Sequence, residues 1–229
     1  MPTIEFRGAA VSYDGRTVLA PLNLTLTERR IGIIGSNGSG KSTTVRLING
    51  LITPSEGQVL FDAMSPSTDG KAIRKRVGFV FSDAESQIVM PRVRDDVAFS
   101  LRRFKLPRQE VRDRVDAALK RFGLSDKAES SPHTLSGGEK QLLALASVLV
   151  IHPETIIADE PTTLLDLRNR RRIIRELDAL DQQLIVVTHD LDMLRGFDRV
   201  ICINDGELAY DGNPDEAIAF YTELMEQTS

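Results

Sequence analysis

Gly35, Gly40, Lys41 and Ser42 stand in the spacing G-x-x-x-x-G-K-S inside "GSNGSGKST" (35–43), directly after the apolar run "RRIGIIG". A glycine loop between a strand and a helix lets backbone amides wrap phosphate oxygens, because no Cβ blocks their approach. The contacts expected of this loop run through Asn37, Gly38, Ser39, Gly40, Lys41, Ser42 and Thr43. Lys41 has the reach for β- and γ-phosphates, and the Ser42 hydroxyl can hold Mg²⁺. Downstream, "IIADEP" (156–161) sets two carboxylates, Asp159 and Glu160, at the end of an apolar strand. Burying such a pair is costly unless a metal or a water uses it. In a phosphoryl-transfer site Asp159 would hold Mg²⁺ through its hydration shell and Glu160 would polarise the attacking water. The competing reading is a turn with two solvated acids. "VVTHD" ends another apolar strand, so His189 is expected at the same sheet edge, where ligands bind in such folds, in contact with a γ-phosphate. His133 and His152 read as structural. "TLSGGEKQ" (134–141) adds a glycine pair behind a serine and ahead of a helix, a second place that offers amides to an anion.

Those residues need a scaffold, and the sequence describes one. "TIEFRGAAVSYDG" and "TVLAPLNLTLTE" read as two β-rich segments about a turn at Asp14-Gly15. "RRIGIIG" is a strand running into the glycine loop, and "KSTTVRLING" is the helix after it. A turn and strand in "TPSEGQVLFDA" and a buried strand in "RVGFVF" (76–81) follow. From about 83 to 135 the character is helical, and in "PRQEVRDRVDAALKRFG" Pro107 suits a helix start and Gly123 its end. Val111, Val115, Ala118, Leu119 and Phe122 recur there at helical spacing, a packing stripe. Strands 155–159, 183–189 and 199–204 then alternate with helices near 166–180 and 190–196, and a helix near 214–226 closes the chain. Alternation of this kind argues for an α/β fold whose sheet is mainly parallel and covered on both faces.

Composition narrows the setting. The 229 residues suit one domain with a lobe, and 41% hydrophobic with 27% charged residues suits a globular core. A net charge of −4 gives no global reason to expect nucleic acid. The single cysteine, Cys202 in "RVICIND", reads as a buried strand residue in a reducing compartment. "MPTIEFRG" lacks a basic-then-apolar leader, so no signal peptide is expected. The longest apolar run, "LLALASVLVI" (142–151), is about half a membrane span, so no direct membrane insertion is expected and any membrane link must run through a partner.

"GSNGSGKST", "LSGGEKQ", "ADEPT", "LLD" (164–166) and "VVTHD", in this order over essentially the whole chain, resemble the ABC-type ATPase subunits. The resemblance implies a P-loop NTPase core with an N-terminal antiparallel β subdomain and an inserted α-helical subdomain, forming one ABC ATPase domain over 1–229 with its lobe at about 83–135. It implies ATP and Mg²⁺ as ligands, with Lys41, Glu160 and His189 as catalytic residues. It also implies that Ser136, Gly137 and Gly138 touch the γ-phosphate of ATP held by a second ATPase subunit. Two chains, as a homodimer, would then meet head to tail around two ATP molecules. Asp166 would lie at their seam, and Tyr13, at a strand end, would stack on adenine.

Within that family, "VGFVFSDAESQIVMPRVRDDVAFSL" is similar to the ATPases of energy-coupling factor (ECF) importers of vitamins and metal ions. Gln87-Ile88-Val89 and Asp95-Asp96-Val97-Ala98-Phe99 carry that likeness. The compact lead-in "LTERRIGIIG" is similar to the ATPase of biotin uptake systems. The departure is Ser82, where the family's usual glutamine reaches the metal and the attacking water; serine would serve Mg²⁺ through an intervening water. The resemblance implies a peripheral protein at the cytoplasmic face of the membrane, docked near Gln87 on a transmembrane coupling subunit that joins a small substrate-binding membrane subunit. Other cargoes of ECF importers are the nearest alternative. An ABC ATPase of DNA repair or translation would carry a coiled-coil insertion or tandem units, and neither is in the sequence. A nucleotide-binding scaffold without turnover would fit Ser82 but not intact Lys41, Glu160 and His189.

Overall fold

The computed structural model describes residues 1–163 and 165–227. Leu164, which opens the "LLD" segment, lies outside the described residues. Along the chain the first elements are β1 (Ile4–Tyr13), β2 (Arg16–Leu26), β3 (Arg30–Ile34), α1 (Lys41–Ile48), β4 (Glu56–Phe61) and α2 (Pro66–Arg76). Then come β5 (Val77–Val80), α3 (Ala84–Gln87), α4 (Val93–Leu101), α5 (Arg108–Arg121) and α6 (Gly137–Leu149). The last are β6 (Thr155–Asp159), α7 (Leu167–Asp178), β7 (Gln183–Val187), β8 (Arg199–Asn204), β9 (Glu207–Gly212) and α8 (Pro214–Gln227). Contacts divide the chain into two compact units. One comprises Met1–Val77, Glu154–Asp159 and the chain from Gln182 onward; the other comprises Gly78–Pro153 and Glu160–Asp181.

The first unit holds two sheets. The antiparallel one has the order β2-β1-β4, and Tyr13 pairs with Arg16 around the Asp14-Gly15 turn. Both turn residues have positive φ (49° and 77°), the geometry that twists with a hairpin and that Asp-Gly accommodates. Along β2, Leu22, Leu24 and Leu26 are buried while Asn23 and Thr25 are exposed, the period-two pattern of a strand with one packed face. In the second sheet β6, β7, β3 and β8 run parallel in that order, and β9 adds an antiparallel edge. Every residue of β6 and β7 is buried, as expected of parallel strands covered on both faces. Cys202 is buried in β8, and burial pushes its thiol up to about 11, so it is an inert packing residue.

The second unit is mainly helical. α6 buries ten of its residues, Gly138 and Gln141 through Leu149. On α5 the stripe Val115, Leu119 and Phe122 turns inward, and Gly123 with φ 65° ends the helix. Asp96 on α4 is buried, and its carboxylate accepts hydrogen bonds from the Val89 amide (2.9 Å), the Met90 amide (3.1 Å) and the Ser147 hydroxyl (3.2 Å). That network ties the segment after α3 to α4 and α6, and a buried acid without it would be costly.

One local expectation changes. The segment near 190–196 is not an α-helix but a single 3₁₀ turn, Leu191–Leu194, which extended Arg195 and Gly196 at φ 86° cut short. His133 and His152 are exposed; His152 sits at φ 51° in the turn between α6 and β6.

Candidate functional site

β3 delivers the glycine loop. A Cβ at Gly35 would lie 1.9 Å from the Ile203 carbonyl oxygen, and Gly40, the N-cap of α1, has φ 101°. Only glycine meets both demands. The loop is pinned by the Gly206 amide donating to the Ser39 carbonyl (3.0 Å), and Asn37 and Gly38 stand exposed at its tip. Lys41 is 6% exposed, and its ammonium donates to the carbonyls of Gly35 (2.9 Å) and Ser36 (2.7 Å), arching across the loop. The Ser39 hydroxyl is buried with no hydrogen-bond partner, an orphan donor of the kind a bound anion satisfies. Thr43 follows half-buried in the first turn of α1.

Asp159, the last residue of β6, is 2% exposed. One of its oxygens accepts from the Ser42 hydroxyl at 2.8 Å; the other meets the Arg46 guanidinium at 3.3 Å. Arg46 is a site residue that the motif reading passed over. Its position four residues after Ser42 on one helix face was the available signal. Among the described residues no group of three or more His, Cys, Asp or Glu could hold a metal. The Ser42 hydroxyl and the Asp159 carboxylate are hard oxygen donors, and they fit a cation that takes its remaining ligands from phosphate and water, as Mg²⁺ does.

β7 lies between β6 and β3, with Val187 opposite both Asp159 and Ile33. His189 leaves two residues beyond β7, exposed, within a turn in which the Thr188 hydroxyl accepts from the Asp190 amide at 2.9 Å. The carboxyl ends of three adjacent parallel strands thus present the glycine loop, Asp159 and His189 at one edge, where α/β sheets bind ligands. Tyr13 is 54% exposed at the tip of the hairpin whose second strand lies against the loop: Val18 O would sit 2.9 Å from a Cβ at Gly40.

The second unit carries the other residues. Glu160 takes a left-handed φ of 53° and accepts from the Thr163 hydroxyl at 3.3 Å. A left-handed glutamate is strained backbone, a feature that clusters at functional positions. Ser136 caps α6: the Glu139 amide donates to its hydroxyl (3.4 Å), while its own amide and hydroxyl donate to the Glu139 carboxylate (both 3.0 Å). A 2.5 Å hydrogen bond from the Lys127 ammonium, and then the Ser136 amide, hold the Glu139 carboxyl below the usual range. Gly137 is exposed and Gly138 buried. Asp166 is the N-cap of α7. Ser82 is exposed after β5. The Gln87 side chain turns inward, accepting from the Phe81 amide at 3.1 Å and donating to Ala144 O at 3.5 Å, so it braces the backbone next to Ser82.

The family model for the ABC transporter matches residues 19–163. The chain is 46% identical to a biotin transport ATP-binding protein, BioM, of Rhizobium etli, covering 96% of this chain and 98% of that one. It is 39% identical to the energy-coupling factor transporter ATP-binding protein EcfA1 of Oceanobacillus iheyensis, covering 93% and 79%. Among solved structures it is similar to cbiO1 of Clostridium perfringens, part of the ABC transporter complex cbiONQ. The TM-score is 0.82 at 35% identity, over 98% of this chain and 93% of that one.

Proposed function

Because the chain belongs to the ABC transporter ATP-binding family and is an ATPase of the ECF importer type, we propose that it powers the uptake of a vitamin, biotin, through membrane partner subunits. The observation that carries the ATPase assignment to residues is the sheet edge where the glycine loop, Asp159 and His189 emerge from neighbouring strands. Biotin rests on the likeness to BioM. Among the described residues no helix is long and apolar enough to cross a membrane, so the proposed station at the cytoplasmic face depends on a transmembrane coupling subunit and its substrate-binding partner.

In this reading Lys41, Ser39 and the loop amides bind the ATP phosphates, and Tyr13 stacks on adenine. Ser42 and Asp159 would hold Mg²⁺, with Ser82 reaching it through water, and the ion would neutralise charge on the phosphates. Glu160 polarises the attacking water and His189 contacts the γ-phosphate. Ser136, Gly137 and Gly138 face the nucleotide of a second copy of the chain, so one domain over 1–229 supplies half of each composite site. ATP closes the pair and hydrolysis releases it, a shift between two states driven by a ligand contact made in one of them. The coupling subunit docks near Gln87 and the helical lobe at about 83–135.

A second reading, an ECF importer of another vitamin or of a metal ion, draws on the likeness to cbiO1. The test is to purify the chain with the membrane proteins that accompany it, reconstitute them in vesicles and measure ATP-driven uptake. Biotin accumulation supports the proposal. Uptake of a metal ion without biotin overturns it in favour of the second reading.

A further inference from the structure

The two glycines of LSGG have different surroundings. A Cβ added at Gly137 would meet nothing within 4 Å, whereas one at Gly138 would lie 2.2 Å from Cγ of Asn169 and 2.4–2.5 Å from its amide heteroatoms. The Asn169 side chain therefore rests directly on the backbone of the LSGG turn. The same residue holds Asp166 twice: its backbone amide donates to Oδ1 at 2.8 Å and its side-chain amide donates to Oδ2 at 3.0 Å. Capping α7 requires only the first of these bonds. The second fixes the rotation of the carboxylate. Ser136 and Asp166 both open on one recess of about 500 Å³ that Asn169 also lines.

We propose that Asn169 is a positioning residue that bolts Asp166 to the LSGG turn, so that both reach the partner chain's nucleotide as one preformed set. The proposal rests on the head-to-tail reading given above. Its physical basis is preorganisation: groups fixed before the partner arrives need no reordering when the site closes. No other amino acid reproduces both contacts. Alanine leaves a gap over Gly138 and frees Oδ2, aspartate sets a second carboxylate against the first, and a bulkier side chain has no room beside Gly138.

The test uses the full chain with its membrane partners for turnover, and the full chain alone for dimerisation. Asn169→Ala should lower kcat about tenfold, the rate equivalent of one hydrogen bond to a charged acceptor, with the KM for ATP changed less than about twofold. Asn169→Asp, which keeps the shape and loses the donor, should do the same and guards against a folding defect in the alanine variant. In a Glu160→Gln background, Asn169→Ala should raise the ATP concentration needed for dimerisation by about tenfold. Gly138→Ala should lose more than Asn169→Ala, and the double variant should lose less than the two single losses combined, because the overlap is gone. Unchanged kcat and dimerisation in the Asn169 variants, or additive losses in the double variant, overturn the positioning role alone. A Glu160→Gln chain that stays monomeric with ATP overturns the head-to-tail reading, and this inference with it.

Discussion

Glu160→Gln separates catalysis from architecture. The glutamine keeps the shape of the side chain and an oxygen that can accept the Thr163 hydroxyl, now bonded at 3.3 Å, so stability should change by less than about 1 kcal/mol. At this length that is a Tm shift below about 4 °C. Loss of the general base should slow hydrolysis by about 10²–10⁴-fold, or about 3–5 kcal/mol of barrier. Asp159→Asn makes the contrast. It removes the charge that faces Arg46 at 3.3 Å in a site where Asp159 is 2% exposed. Because Arg46 is 41% exposed, the cost should fall below that of a fully buried pair, at about 1–3 kcal/mol. Its Tm should therefore drop by several degrees even without nucleotide. The assays are phosphate release, thermal melting and sedimentation with ATP and Mg²⁺, in which Glu160→Gln should accumulate as a closed dimer. A Glu160→Gln chain that keeps more than about a tenth of the rate refutes its role as base. If the two variants melt alike, the division between a structural and a catalytic acid is wrong.

Ser136→Arg should leave ATP affinity of the isolated chain nearly intact and abolish turnover; mixing it with a Lys41→Ala chain should restore one complete site per heterodimer, and no recovery would count against the shared site. Ser82→Gln should be tolerated or mildly activating, since water-mediated contact costs at most about 2 kcal/mol, and loss of hydrolysis would remove Ser82 from the metal shell. For Glu139 the folded pKa lies below the ordinary 4.5, so its stabilisation is full above that value and lost as pH falls through the folded pKa. Glu139→Gln should accordingly lower Tm at pH 7 and converge with the unaltered chain in acid; a difference constant with pH would show that the carboxylate charge is not what Lys127 and the Ser136 amide stabilise.

The strands that position the nucleotide edge were legible because they are unbroken apolar runs with polar ends: "TIIAD" and "RVICIN" coincide with β6 and β8 residue for residue. β9 was not, because "ELAYDG" is an edge strand without a buried residue and so shows no apolar pattern. α2 escaped for a similar reason, burying only Pro66, Gly70 and Ile73. Periodicity near 190–196 suggested a helix, yet Gly196 at φ 86° leaves room for a single 3₁₀ turn. Motif spacing named Ser42 and Asp159 but could not show that they meet at 2.8 Å. That contact follows from strand order, which joins residues 117 positions apart. Arg46 and Asn169 have no motif of their own, and the motif that names Glu160 does not show its left-handed backbone. Their significance lies in which backbone or carboxylate each one faces.

Ser136 shows how one short pattern can carry two physical messages. Serine followed three residues later by glutamate is a capping box, and the structure forms it, with both halves of the exchange present. The same amides and hydroxyl are what a phosphate would need. In the single chain a carboxylate already occupies those donors: the Ser136 amide and hydroxyl both point to one oxygen of Glu139. The helix start is therefore built to receive an anionic oxygen, and its own sequence supplies one. For a partner's γ-phosphate to engage the Ser136 hydroxyl, Glu139 must release it, and Lys127 is placed to retain the displaced carboxylate at 2.5 Å. In the single chain Glu139 and Lys127 are thus the groups that hold the Ser136 side chain in place.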